Sequence, residues 1–201
     1  MKNKLSVFAL ILCATATIAN AATPFEQMMS KSFEANGQAG LDRLNQDAAQ
    51  KFCSNPVNLN GGGDPKVREK IQNENMASIK QPSDGKYIGD WKSGEKIAQS
   101  GRGATWTDKP NSEVGGGCYN CHEIDKKEIS YGNIGPSLWN YGKFRGYSKE
   151  VVTYTWNRIS NAKAYNVCSN MPRFAHFKLL NEKQIQDVMA LLLDPNSPVN
   201  Q

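Results

Sequence analysis

The clearest apolar pattern in the chain is a stripe at three- and four-residue steps near its C-terminus. In "NEKQIQDVMALLLDP", Ile185, Val188, Met189 and Leu192 fall on one helical face. Asn181 and Gln184 have capping-box spacing, and Pro195 sets the stop, so the segment predicts a helix that ends before that proline. "SKEVVTYTWNRIS" predicts a second helix, capped at Ser148, with Val152, Trp156 and Ile159 on one face. "DWKSGEKIAQSG" predicts a short third one capped by Asp90. Nearer the N-terminus, Phe25, Met28, Met29 and Phe33 form one helical stripe and Leu41, Leu44, Ala48 and Phe52 another, with Gly37 and Gly40 between them. Asp64-Pro65 opens a further helix carrying Val67 and Ile71, while "NGGGD" and "QPSDGKY" read as loops. The expected fold class is all-α.

The first residues change the picture. "MKNKLSVFALILCATATIANAATPFE" has two lysines, an apolar run from Leu5 to about Ile18, and the small-x-small triplet Ala19-Asn20-Ala21. This is the pattern of a secretory signal peptide over residues 1–21, with the mature chain starting at Ala22. A membrane anchor needs roughly 18 apolar residues, and this run is shorter and diluted by Thr15 and Thr17. Cys13 follows Leu12 rather than a small residue and lies early in the run, so it is expected to leave with the signal and not to carry a lipid. No second apolar span follows, and no membrane partner is expected. Loss of Lys2 and Lys4 lowers the formal charge from +5 to +3, too weak a basic excess to argue for nucleic acid. About 180 residues remain, enough for one domain with an appendage or for two small ones.

Export also changes what cysteines mean, because thiols outside the cytoplasm pair unless something consumes them. Four remain: Cys53, Cys118, Cys121 and Cys168. Two of them stand in "GGGCYNCHEID" beside His122, one of only two histidines in the chain. A zinc site would need two more ligands, and only the scattered Cys53, Cys168 and His176 are available. A thioredoxin-like dithiol would sit in a βαβ pattern, and no alternating strand runs flank this segment. The remaining chemistry is covalent attachment of haem c, with Cys118 and Cys121 on one helical turn forming thioethers and His122 as proximal iron ligand. In the class I cytochrome c pattern a proline carbonyl accepts a hydrogen bond from the proximal imidazole, and Pro136 of "GNIGPSLWNYGKFRG" is assigned that role; an ordinary Gly-Pro turn is the alternative. For the sixth ligand the candidates rank Met171, His176, Cys168, all within "NVCSNMPRFAHFKLL". Met171 lacks the helical apolar neighbours of a core methionine, and a thioether raises the reduction potential.

"GGGCYNCHEI", "GNIGPSL" with "YGKFRG", "NMPRFAHFKLL" and "EKQIQDVMALLLDPNSPVNQ" together resemble the SoxX family, the monohaem subunits of the SoxAX cytochromes of periplasmic sulfur oxidation. The likeness covers residues 90–201 closely. It implies a class I cytochrome c domain over those residues, thioethers at Cys118 and Cys121, and His122 and Met171 as axial ligands. Residues 22–89 then form a helical N-terminal extension that resembles the longer family members. The likeness implies a heterodimer with a SoxA-type cytochrome subunit that oxidatively joins thiosulfate to a cysteine of the SoxYZ carrier. The chemistry falls on the A subunit, and this chain passes electrons to a soluble cytochrome c. A free-standing monohaem electron carrier is the alternative.

With two cysteines consumed by haem, a disulfide between Cys53 and Cys168 is the expected state of the other pair, against a free thiol at Cys168. "YGKFRGYSKE" sets Tyr141, Phe144 and Tyr147 among Lys143, Arg145 and Lys149, a mixture that suits either a docking surface or core rings beneath a solvated loop.

Overall fold

The computed structural model describes residues 23–201; the expected signal peptide and its Cys13 lie outside the described residues. The chain divides into two compact units, one ending at Glu34 and the other running from Ala35 to Gln201. In the first, α1 (Pro24–Ser32) opens with a reciprocal capping box between Thr23 and Glu26, and none of its residues is buried. The second unit is built from α2 (Ala48–Cys53), α3 (Pro56–Leu59), α4 (Pro65–Ala77), α5 (Trp91–Gln99), α6 (Tyr141–Arg145), α7 (Lys149–Ser160) and α8 (Glu182–Leu193), with 3-10 turns before α2, between α5 and α6, between α7 and α8, and after α8. Among the described residues the β pairing is one isolated bridge, Asn36 with Ala39. The protein is all-α.

The stronger sequence patterns become helices where their caps place them. Asn181 accepts from the Gln184 amide while the Gln184 side chain returns to the Asn181 amide, which fixes the start of α8. Ser148 accepts from Val151 N at the start of α7, and Asp90 accepts from Lys92 N and Ser93 N at the start of α5. The stripe through Leu41, Leu44, Ala48 and Phe52 is not one helix. A 3-10 turn covers Leu41–Leu44, and Asp47 then restarts the chain as the N-cap of α2, in a second capping box with Gln50. Once Asp47 satisfies the Gln50 amide from outside the helix, continuous α-helix through that point is lost.

The core forms where α5 crosses α8. A Cβ on Gly94 would lie 2.0 Å from the Asp187 carbonyl oxygen, so the two backbones touch there with no side chain between. Around the crossing Ile97, Ala98, Ile185, Val188, Met189, Leu191 and Leu192 are buried, joined by Trp156 and Ile159 from α7. Residues 35–89 belong to the same unit as 90–201. The Trp156 indole donates to the Lys80 carbonyl at 2.9 Å, and Tyr87 meets the same ring edge-on. A second small core joins Ala49 of α2, Ile71 of α4 and Val167. At its edge Cys53 and Cys168 form the expected disulfide, 115 residues apart in sequence.

Candidate functional site

The Cys118–Asn120 segment is a single 3-10 turn, and both the Cys121 and His122 amides donate to the Cys118 carbonyl, at 3.1 and 3.0 Å. The glycine run before it is tied to the end of α5. Gly116 N donates to the Ile97 carbonyl and Gly117 N to the Ser100 carbonyl, both at 2.8 Å. Tyr119 turns into the core, and its hydroxyl lies 2.9 and 3.2 Å from the two carboxylate oxygens of Glu95. Burial pushes the Glu95 carboxyl above its ordinary value although this hydroxyl opposes the shift.

The following loop is laid onto the turn by three backbone hydrogen bonds: Gly132 N to Tyr119 O at 2.8 Å, Gly135 N to Cys121 O at 2.8 Å, and Leu138 N to Glu123 O at 2.7 Å. They bring the Pro136 carbonyl to 2.7 Å from Nδ1 of His122. A carbonyl only accepts, so Nδ1 is the donor of this contact; in the neutral ring that places the lone pair on Nε2, the tautomer a metal requires. Gly135 sits against the face of this ring: a Cβ there would lie 2.1 Å from Cε1 and 2.5 Å from Nδ1.

A cleft of about 320 Å³ opens over the turn, lined by Cys118, Cys121, His122, Pro136 and Met171 and by the apolar Ile134, Pro172 and Phe174. Two further clefts, of about 170 and 40 Å³, also have both His122 and Met171 in their walls. Burial pushes the Cys118 thiol up to about 12, which favours its neutral form. A thioether at that sulfur carries no charge to desolvate.

Of the three sixth-ligand candidates, Met171 lies in the walls of all three clefts shared with His122. Cys168 is engaged by Cys53. His176 lines none of the three clefts; its Nε2 lies 3.2 Å from Arg173 Nη1 and 3.7 Å from Asp47 Oδ2. Burial, reinforced by the Arg173 charge, holds the His176 imidazole below its ordinary value. The zinc alternative loses two of its scattered ligands to that same disulfide. An imidazole lone pair, a thioether, two adjacent thiols and apolar walls form a donor set that fits haem c.

Sequence reasoning did not single out Arg158, which lines two of the clefts, nor the contact of Gly135 with the ring. Its position directly before Pro136 was the available signal for the glycine. Of the aromatic-basic segment, Phe144 is 74% exposed and Tyr147 half exposed, whereas Tyr141 turns inward, its hydroxyl 2.8 Å from Thr155 Oγ1.

Fold and site thus define a small all-α protein whose Cys-x-x-Cys-His turn faces a cleft with both apolar and polar walls. No family model matches the chain. Over 157 residues it is 41% identical to a protein of Aquifex aeolicus (strain VF5) described as an uncharacterized lipoprotein, covering 77% of this chain and 73% of that one. The chain belongs to the family of that protein.

Proposed function

We propose that this chain is an extracytoplasmic c-type cytochrome that carries single electrons on one covalently attached haem. The observation that carries the reading is the pairing of His122, its Nδ1 held by the Pro136 carbonyl, with Met171 in the walls of the same clefts. Bound haem c supplies a one-electron ferric/ferrous couple. The chain's own residues do the rest. Cys118 and Cys121 would hold the macrocycle, the Pro136 carbonyl orients the His122 ring, and His122 and Met171 would supply the nitrogen and sulfur donors to its iron. A fixed ligand pair limits rearrangement between the two oxidation states, and the thioether raises the potential. Ile134, Pro172 and Phe174 offer the macrocycle apolar contacts along the cleft.

Export has two supports: the Cys53–Cys168 disulfide, which persists in oxidising compartments, and the description of the relative as a lipoprotein. The finer reading is a signal cleaved before Ala22 and a periplasmic mature chain. The likeness to the SoxX family supports reading the chain as the electron-transfer subunit of a SoxAX-type heterodimer. It would serve a SoxYZ carrier and a soluble cytochrome c acceptor, and itself be non-catalytic. A free-standing carrier is the second reading. It is favoured if the chain purifies from its native host without a stoichiometric second cytochrome.

The test is expression with a haem c maturation system. The purified chain should gain the mass of one haem that survives acidic organic extraction, and Cys118→Ala with Cys121→Ala should abolish it. In ferric protein, Met171→His should remove the weak long-wavelength thioether band, while His176→Ala leaves it in place. A chain that retains no covalent haem overturns the proposal.

A further inference from the structure

The six-residue helix α2 grips the Met171 loop at two points, one on each side of the methionine. Three residues before Met171, Cys168 is bridged to Cys53, the last residue of α2, with the two Cα atoms 5.5 Å apart. Two residues after it, Arg173 is almost wholly buried and pairs with Asp47, the N-cap of α2, at 2.6 Å. Between those points the loop's own hydrogen bonds are local: Ser169 N to the Asn166 carbonyl and Met171 N to Ser169 Oγ.

The brace is itself seated. Ala49 of α2 packs with Ile71 of α4 and with Val167, the residue before Cys168, and the Gln72 side chain donates to the Tyr165 carbonyl at 3.0 Å. The Arg173 guanidinium lies over the Phe177 ring, 4.4 Å from its centroid, and His176 stands on its other edge. A buried guanidinium that loses its carboxylate is left as an uncompensated charge, so this contact resists opening. The disulfide resists it differently, by limiting how far Cys168 can travel in any opened state.

We infer that α2 is a two-point clamp that holds the Met171 loop over the cleft, and that Asp47 and the Cys53–Cys168 disulfide are positioning residues for the sixth ligand. This gives residues 35–89 a task that a Cys-x-x-Cys-His turn and its cleft alone leave unexplained. The ligand half of the inference rests on the haem reading; the clamp itself does not. Loop opening is then governed by two locks of different chemistry, one released by reductant and the other by loss of a charge.

The experiment is hydrogen exchange of residues 166–177 in the full chain as purified, for wild type, Asp47→Asn, the Cys53→Ser/Cys168→Ser pair, and the triple variant. Asparagine still caps a helix, so Asp47→Asn removes the charge while α2 keeps its start. Each lock removed should speed exchange in the loop on the order of tenfold or more, the triple variant most, with α8 amides unchanged. Lys70→Gln, which breaks the exposed pair with Glu74, should change nothing. In haem-loaded protein the same order should appear in the rate at which added imidazole displaces Met171, while the attached haem is retained. If the cysteine variants fail to fold, Asp47→Asn and wild type treated with a phosphine reductant carry the same comparison. Wild-type exchange in the loop after both locks are removed overturns the clamp. Absence of haem from the purified protein overturns the cofactor reading and leaves the exchange result decisive for the clamp.

Discussion

Gly94→Ala sets two effects against each other at the α5–α8 crossing. On an isolated helix the change stabilises by about 1 kcal/mol, because alanine has the higher propensity. Here the new methyl would sit 2.0 Å from the Asp187 carbonyl oxygen, 2.6 Å from its carbonyl carbon and 3.1 Å from Leu191 Cβ. Ordinary non-bonded separations are about 3.5–4 Å, so the crossing must open by roughly 1–1.5 Å. The nearest two atoms are backbone inside α8 and have no rotamer to move to. That places the overpacking cost at the upper end of the usual range, about 3 kcal/mol, and the net loss near 2 kcal/mol. The shift also reaches the site, because the Ile97 and Ser100 carbonyls of this region hold Gly116 and Gly117 just before Cys118. Urea unfolding followed by far-ultraviolet circular dichroism should show a midpoint lower by about 1 M for a slope near 2 kcal/mol/M. A midpoint at or above that of wild type would mean that propensity outweighs packing and that the helices do not cross in backbone contact.

Elements whose signals are local were legible in the sequence. The helices α5, α7 and α8 each begin at a cap residue that acts on amides two or three positions away, and each carries an apolar face. The shorter α6 offered no such signal. It starts after Asn140, which has a left-handed φ of 54° and makes no side-chain cap. In the Leu41–Phe52 stripe helical periodicity continued across a point where Asp47 caps instead, so period alone misread one break. At the site, the Cys118, Cys121 and His122 spacing and the Gly-Pro pair belong to short stretches and could be read directly. The choice between Met171 and His176 could only be ranked, because what separates them is which residue a tertiary cleft includes. The Asp47–Arg173 pair left no trace in either local pattern: each residue looks like an ordinary exposed charge until the chain brings α2 against the methionine loop.

Two further outcomes follow. Burial, with the Asp125 and Glu128 charges adding to it against the Tyr119 and Gln99 hydrogen bonds, raises Glu95 above its ordinary 4.5 in the folded chain. Its favourable contribution is therefore complete below pH 4.5 and lost as pH rises through the folded value. Glu95→Gln should match wild type near pH 4 and gain on it near pH 8 in parallel denaturation series; a loss that grows with pH would contradict this. The last concerns Gly135→Ala, where no helix propensity offsets the clash. A methyl would stand 2.1 Å from Cε1, 2.5 Å from Nδ1 and 2.7 Å from Nε2 of His122, and Gly135 is held in place by the hydrogen bond its N–H donates to the Cys121 carbonyl. The ring is the part free to move, and turning away takes Nδ1 from the Pro136 carbonyl, with a loss of about 1–3 kcal/mol from the broken hydrogen bond and displaced packing. Nuclear magnetic resonance of 15N-labelled chain should show the Nδ1 proton lose its protection and the ring nitrogens approach a mixed tautomer. A Gly135→Ala chain with the wild-type tautomer and an equally protected proton would show that the glycine does not set the imidazole's position.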